Sequence, residues 1–106
     1  MEPLRGEVWD AHVRGAGTHP FVMLTVNPMI TRLGAVTAVL VTGTAGPLYT
    51  HIPLGAEAGL TEYSESYANA TDLHTIPRPR LHHRRGRLAG AEMASLEQAV
   101  RTYLGL

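Results

Sequence analysis

AEMASLEQAVRTYLGL, residues 91–106, reads in helical period. Met93, Leu96, Val100, Tyr103 and Leu104 recur at spacings that place them on one stripe of an α-helix, so that stripe is expected to be buried. Its burial is worth on the order of 5–10 kcal/mol before entropy is subtracted. Glu97 and Arg101 stand four apart, which predicts an ion pair along the helix, and Gly90 is the expected N-cap.

Outward from this helix, toward the N-terminus, the period changes to two. In GEVWDAHV (Gly6–Val13), Trp9, Ala11 and Val13 alternate with Asp10 and His12, the pattern of a half-buried strand, and Trp9 is read as core. RGAGTH (Arg14–His19) is expected as a mobile loop and PFVMLTV (Pro20–Val26) as a strand apolar on both faces, which Pro20 can begin. NPMITRLG (Asn27–Gly34) reads as a turn and irregular link. AVTAVLVT (Ala35–Thr42) is the most continuous apolar strand and should be central. YTHIPL (Tyr49–Leu54) is expected to pair with it as a hairpin. GAEAGLTEYSE (Gly55–Glu65) reads as loop, and SYANAT with LHTI (Ser66–Ile76) as two short strands or one bent one. Five to seven short strands followed by one helix predict a mainly β fold, a small β-barrel with helical decoration.

The chain has 106 residues, one small domain's worth, with 44% hydrophobic residues, so a globular fold rather than disorder is expected. A dimer interface would supplement so small a core. Cysteine is absent, which excludes disulfides and thiolate metal sites. The N-terminus MEPLRGEVWD lacks the apolar segment of a secretory signal, and no apolar run reaches the length of a membrane span. A cytoplasmic location is therefore expected, with no membrane association. Net charge is zero, from nine basic and nine acidic side chains. All nine basic residues are arginine, the side chain that binds phosphate in a planar, bidentate manner. Five of them fall in PRPRLHHRRGRL (Pro77–Leu88), with two histidines and no acid. Such a run is either a solvated loop balanced by acids elsewhere or a surface for a polyanion.

Chain order carries a further signal. RGEVWDAHV (Arg5–Val13) is followed by HPFVMLTVN (His19–Asn27) and VTAVLVTGT (Val36–Thr44). HIPLG (His51–Gly55), YANATDLHTI (Tyr67–Ile76) and RGRLAGAEMASLEQAVRTYLGL (Arg85–Leu106) come next. In this order and spacing the chain resembles the MazF/PemK family of toxin endoribonucleases over nearly its whole length. The resemblance implies an SH3-like barrel with a C-terminal helix, a homodimer and a cognate antitoxin. It also implies cleavage of single-stranded RNA at short sequences, without a metal or other cofactor.

Two positions depart from the family pattern. His19 stands where members usually carry an arginine, just before the proline that opens the second strand. Thr71 stands where an aspartate is common, with Asp72 next to it. The hydroxyl at the end of the third strand is kept as Thr42, with Thr44 as its possible substitute, and Asn69 keeps a common polar residue. His74 replaces a frequent arginine.

Metal-free RNA cleavage uses the 2′-hydroxyl as nucleophile. One group takes its proton, another protonates the leaving 5′ oxygen, and donors stabilise the charged phosphorane. His19 suits proton transfer near neutral pH. Thr42 can bind a phosphate oxygen, and Arg14, in the same expected loop as His19, can supply a guanidinium. His51 is a second proton-transfer candidate. Thr44, Asn69, Thr71, His74, Arg78, Arg80, Arg84 and Arg85 are the candidate RNA contacts. Arg78 and Arg80 are expected on one side of an extended stretch. Tyr49 and Tyr67 are possible base-stacking groups. His82 and His83 are adjacent and would point to opposite faces of a strand, so no metal site is expected. The competing reading is a non-catalytic binding module on the same barrel, like the CcdB toxins, or a degenerate toxin that still binds an antitoxin or another protein. The arginine run would serve an acidic antitoxin as well as RNA.

Overall fold

The computed structural model describes residues 2–60 and 64–106. Six strands form one sheet: β1 (Glu7–Val13), β2 (Gly17–Met23), β3 (Ala35–Thr42), β4 (His51–Leu54), β5 (Ser66–Pro77) and β6 (Leu81–Arg87). Their order is β4-β5-β3-β2-β1-β6, and every neighbouring pair is antiparallel. No ladder joins β4 to β6 among the described residues, so the sheet is open at that seam. Helix α1 (Asn27–Leu33) links β2 to β3, and α2 (Gly90–Leu104) ends the chain.

The central strands are apolar on both sides because the sheet is covered on both sides. Val8, Val22, Val39, Val41 and Ala68 face α2 and pack with Leu96 and Ala99. The alternate residues Trp9, Phe21, Met23, Val36 and Ala38 face the other way and pack with Ile30 of α1 and with Ile76. Trp9 is core, as expected.

Several expectations need correction. Asn27–Leu33 is a helix rather than an irregular link. Pro28 fits its first turn, Gly34 ends it with a φ of 69°, and Ile30 is its single buried anchor. One anchor in seven residues leaves no period to read. His51–Leu54 pairs with β5, not with β3, so the expected hairpin does not form. Ser66–Pro77 is one strand, the second of the two alternatives expected, and its register breaks opposite Leu40, between Val39 and Val41 of β3. The stripe on α2 is buried only through Leu96 and Ala99, with Met93 and Val100 half-buried; Tyr103 and Leu104 are exposed. Glu97 pairs with Arg5 of the N-terminal segment at 2.6 Å rather than with Arg101. The helix is preceded by Ala89, with Gly90 inside it. The Glu92 carboxylate accepts hydrogen bonds from Ala89 N at 2.7 Å and from Gly55 N at 2.6 Å.

The expected loop over 55–65 contains a 3₁₀ turn, Ala56–Ala58; residues 61–63 lie outside the described residues. This turn crosses onto β6 at close range. A Cβ on Gly59, whose φ is +75°, would run into the Arg85 carbonyl, and one on Gly86 would run into the Glu57 carbonyl. The two glycines let two backbones meet where side chains would hold them apart.

The arginine run is not a loop. A 3₁₀ turn (Arg78–Arg80) leads into β6, an edge strand paired with β1. The turn rotates Arg78 and Arg80 away from a common side, against the expectation for an extended stretch.

Candidate active site

The site is built by strand register. Ala11 of β1 faces His19 of β2, so His19 lies in a strand rather than in the expected mobile loop, which contracts to a turn at Arg14–Ala16. The β2–β3 ladder pairs Phe21 with Leu40 and goes no further toward Pro20, which has no N–H to give. His19 and Thr42 are each two residues beyond that pair. They therefore stand on one face at the adjoining ends of β2 and β3. Thr42 is opposite Tyr67 of β5, and His51 of β4 is opposite Asn69. His19, Thr42, Asn69 and His51 thus share the face turned away from α2.

Local contacts set what each group offers. His19 Nε2 is 2.6 Å from the Ala16 carbonyl. A carbonyl only accepts, so Nε2 carries the hydrogen and Nδ1 keeps its lone pair. Thr42 Oγ1 accepts from Thr44 N at 3.1 Å, which leaves the Thr42 hydroxyl proton to donate and places Thr44 as its support. Arg14 is exposed in the β1–β2 turn and has no hydrogen-bonding partner among the described residues. His51 is braced on both sides. Its Nδ1 is 2.8 Å from Thr50 Oγ1, and Gly46 packs directly on its ring, where a Cβ would not fit.

The break in β5 changes the acidic residue at the site. Asn69 to Asp72 all lie opposite Leu40 alone, between the pairs Val41–Ala68 and Val39–Leu73. Inside this bulge Asn69 Oδ1 accepts from Thr71 N at 3.0 Å and from Thr71 Oγ1 at 2.7 Å. Both polar groups at the expected RNA contacts Asn69 and Thr71 are therefore tied to each other, and the Asn69 amide N–H groups remain to donate. One residue on, the Asp72 carboxylate is 2.7 Å from His74 Nε2. The His74 ring meets the Phe21 ring edge to face, with centroids 5.2 Å apart and planes at 76°. Asp72, missed as a site residue in the sequence, is the carboxylate beside His74 on this face. Its signal was the spacing to His74, since residues two apart in a strand share a face.

Tyr67 is buried, and its hydroxyl donates to Glu65 Oε2 at 2.6 Å, so it is no free stacking platform. That hydrogen bond, with burial and the Glu65 charge adding to it, raises the Tyr67 phenol above its ordinary value. Tyr49, by contrast, is exposed at the β3–β4 connection.

The arginines are mostly engaged within the chain. Arg78 pairs with Glu2, Arg84 Nε with Glu7 at 2.7 Å, and Arg85 Nη1 with Asp10 at 3.1 Å. Burial opposes ionisation of Glu7, but hydrogen bonds from the Trp9 indole, Arg84 and Leu4 N outweigh it, so its carboxyl is held below the ordinary value. Arg80 has no acidic partner among the described residues. It precedes Leu81, which is in register with Ala11 and through it with His19. Of the four arginines singled out in the sequence, Arg80 therefore borders the His19 row with its charge uncompensated.

Comparison with known proteins places this geometry in context. A family model described as a PemK-like, MazF-like toxin of type II toxin-antitoxin systems matches residues 4–104. The chain is 34% identical over 101 residues to a probable endoribonuclease MazF2 of Mycobacterium tuberculosis, covering 95% of this chain and 97% of that protein. It is 30% identical over 104 residues to the endoribonuclease MazF4 of the same species, covering 98% and 94%. Among solved structures it resembles an endoribonuclease in complex with its cognate antitoxin from a mycobacterial species, with a TM-score of 0.87, 30% identity and coverage of 98% and 96%. A MazE–MazF structure from Deinococcus radiodurans matches in fold, with a TM-score of 0.83 at 18% identity, covering 100% of this chain and 98% of that one.

Proposed function

The chain belongs to the PemK-like, MazF-like toxin family, and on that footing we propose that it is the toxin endoribonuclease of a toxin–antitoxin pair. It acts on single-stranded RNA at selected short sequences, in the cytoplasm, as a single-domain protomer of a homodimer of SH3-like barrels. A cognate antitoxin restrains it, as the mycobacterial relative is held in its complex. The 2′-hydroxyl attacks its own phosphorus, no metal takes part, and the products are a 2′,3′-cyclic phosphate and a 5′-hydroxyl.

The observation that carries this reading is that His19 and Thr42 stand on one face at adjoining strand ends, with His19 Nε2 occupied and Nδ1 without a partner among the described residues. His19 Nδ1 takes the 2′ proton as general base. Thr42 donates to a phosphate oxygen, and Arg14 and Arg80 supply charge to the phosphorane from the rim. His51 and the Asn69 amide hold the flanking nucleotide.

The test is incubation of the protein and its His19→Ala variant with long single-stranded RNA in EDTA. The parent cleaves and leaves cyclic phosphate ends, and the variant is slower by on the order of 10²–10⁴. A parent that cuts no RNA yet binds an acidic antitoxin would instead mark the non-catalytic module, with the loss of arginine at position 19 as its cause.

A further inference from the structure

Two histidines on this face are anchored in the same way to different partners. Each has Nε2 bound to an oxygen, a backbone carbonyl for His19 and a carboxylate for His74, and each leaves Nδ1 without a partner among the described residues. The difference decides their chemistry. A carbonyl fixes tautomer and orientation. A carboxylate does both and also balances the positive charge of a protonated ring, so a loaded His74 is one half of an ion pair with Asp72. His74 is about one-third exposed, enough to reach a substrate, and its ring is held edge-on against Phe21. Phe21, itself buried, lies two residues along β2 from His19, so the core beneath His74 continues along β2 to the His19 end of the same face.

We propose that His74 is the acid of the reaction and Asp72 the residue that positions it. The assignment rests on the nuclease reading above and completes it. The 2′ oxygen forms its bond to phosphorus and gives its proton to His19 Nδ1. The bond from phosphorus to the 5′ oxygen breaks, its electron pair stays on that oxygen, and the oxygen takes a proton from His74 Nδ1. One proton is removed and one delivered: His19 finishes as a cation and His74 neutral, paired to Asp72 through Nε2–H. The bulge sets the face on which Asp72 and His74 lie together: Ala68, Ala70 and Leu73 all pack toward α2, so the alternation skips once within it and the pair falls on the side of Phe21.

An acid is recognised by the leaving group it serves. A bond cut by the parent is first mapped in long RNA. A short oligomer spanning it is then made in two forms, with oxygen or with sulfur at the bridging 5′ position. A thiolate departs without needing a proton. His74→Gln is expected to lose on the order of 10²–10⁴ on the oxygen substrate and to stay within about tenfold of the parent on the sulfur substrate. Asp72→Asn keeps the imidazole and loses less, with the same recovery on sulfur. His19→Ala is slow on both, because it lacks the base. Recovery on sulfur also demonstrates that a variant is folded. The proposal is overturned if His74→Gln matches the parent on oxygen, or if it is equally slow on both substrates. A parent that cuts neither RNA removes the nuclease reading itself, and this assignment with it.

Discussion

Replacing Gly59 by alanine tests how the two ends of the sheet are held near each other. Two penalties coincide at that residue. Its φ of +75° costs an L-residue about 1–2 kcal/mol, and the new methyl meets the Arg85 backbone, where overpacking costs about 1–3 kcal/mol. The sum, about 2–5 kcal/mol, is a large share of the roughly 5–15 kcal/mol that stabilises a domain. At roughly 4–8 °C per kcal/mol for a chain of this size, the midpoint should fall by about 8–40 °C. Two companion variants separate the terms. Gly15→Ala has a φ of +81° but open space, so it carries the backbone cost alone. Gly86→Ala lies outside the left-handed region and meets the Glu57 carbonyl, so it carries the steric cost alone. Thermal unfolding followed by circular dichroism, with urea titrations for ΔG, ranks the three. If Gly59→Ala is no less stable than Gly15→Ala, the 3₁₀ turn does not press on β6 and the close approach is wrong.

Other expectations follow from packing and charge. Leu96→Ala, which empties a fully buried position under the sheet, should cost about 2–5 kcal/mol in chemical unfolding, while the exposed Leu104→Ala should stay within about 0.5 kcal/mol. Glu7 is held below its ordinary value of about 4.5, so its contribution is present above that value and is lost as pH falls through the lower folded one; Glu7→Gln should flatten the acid limb of a stability–pH curve, and an unchanged limb would remove Glu7 from the account. Thr42→Ala should slow single-turnover cleavage less than His19→Ala does, because its hydroxyl is one donor among several; the reverse order would make Thr42 the principal group. His19→Arg restores the arrangement usual in the family and should give a flatter pH–rate profile than the parent, since a guanidinium does not titrate in that range.

Alternation was enough to read β1, a continuous apolar run β3, and helical period the start of α2, because each buries the residues its pattern marks. It failed where burial and period part company. α1 has Ile30 alone as anchor, and β6 exposes His82, His83 and Arg84, so neither carries a pattern. The pairing of β4 with β5 depends on a crossing that no local signal encodes. At the site, Thr42 and Asn69 could be named because they fall in segments the sequence reads as strands, and His19, expected in a loop, only through its place before Pro20 in the family pattern. Asp72 was marked only by its spacing of two from His74, and the face on which that pair lies follows from the bulge where β5 meets β3, which no local pattern encodes. Thr71, marked by position, proved to be spent on Asn69.

The ion pairs of Arg78, Arg84 and Arg85 with Glu2, Glu7 and Asp10 bear on how RNA binding responds to salt. Each phosphate neutralised on a single strand normally contributes about −0.7 to the slope of log K against log salt, because the cation displaces condensed counterions. An arginine that already carries its own carboxylate must first surrender it. Breaking that pair offsets part of the attraction to the phosphate, and salt that screens the RNA contact also screens the ion pair that competes with it. Arg78, Arg80, Arg84 and Arg85 together would contribute a slope near about −3, of which Arg80, the one without an acidic partner among the described residues, accounts for about −0.7. On the nuclease reading, the strand that would meet RNA carries positive charge that is largely pre-compensated, so affinity should be less sensitive to ionic strength than the arginine content suggests.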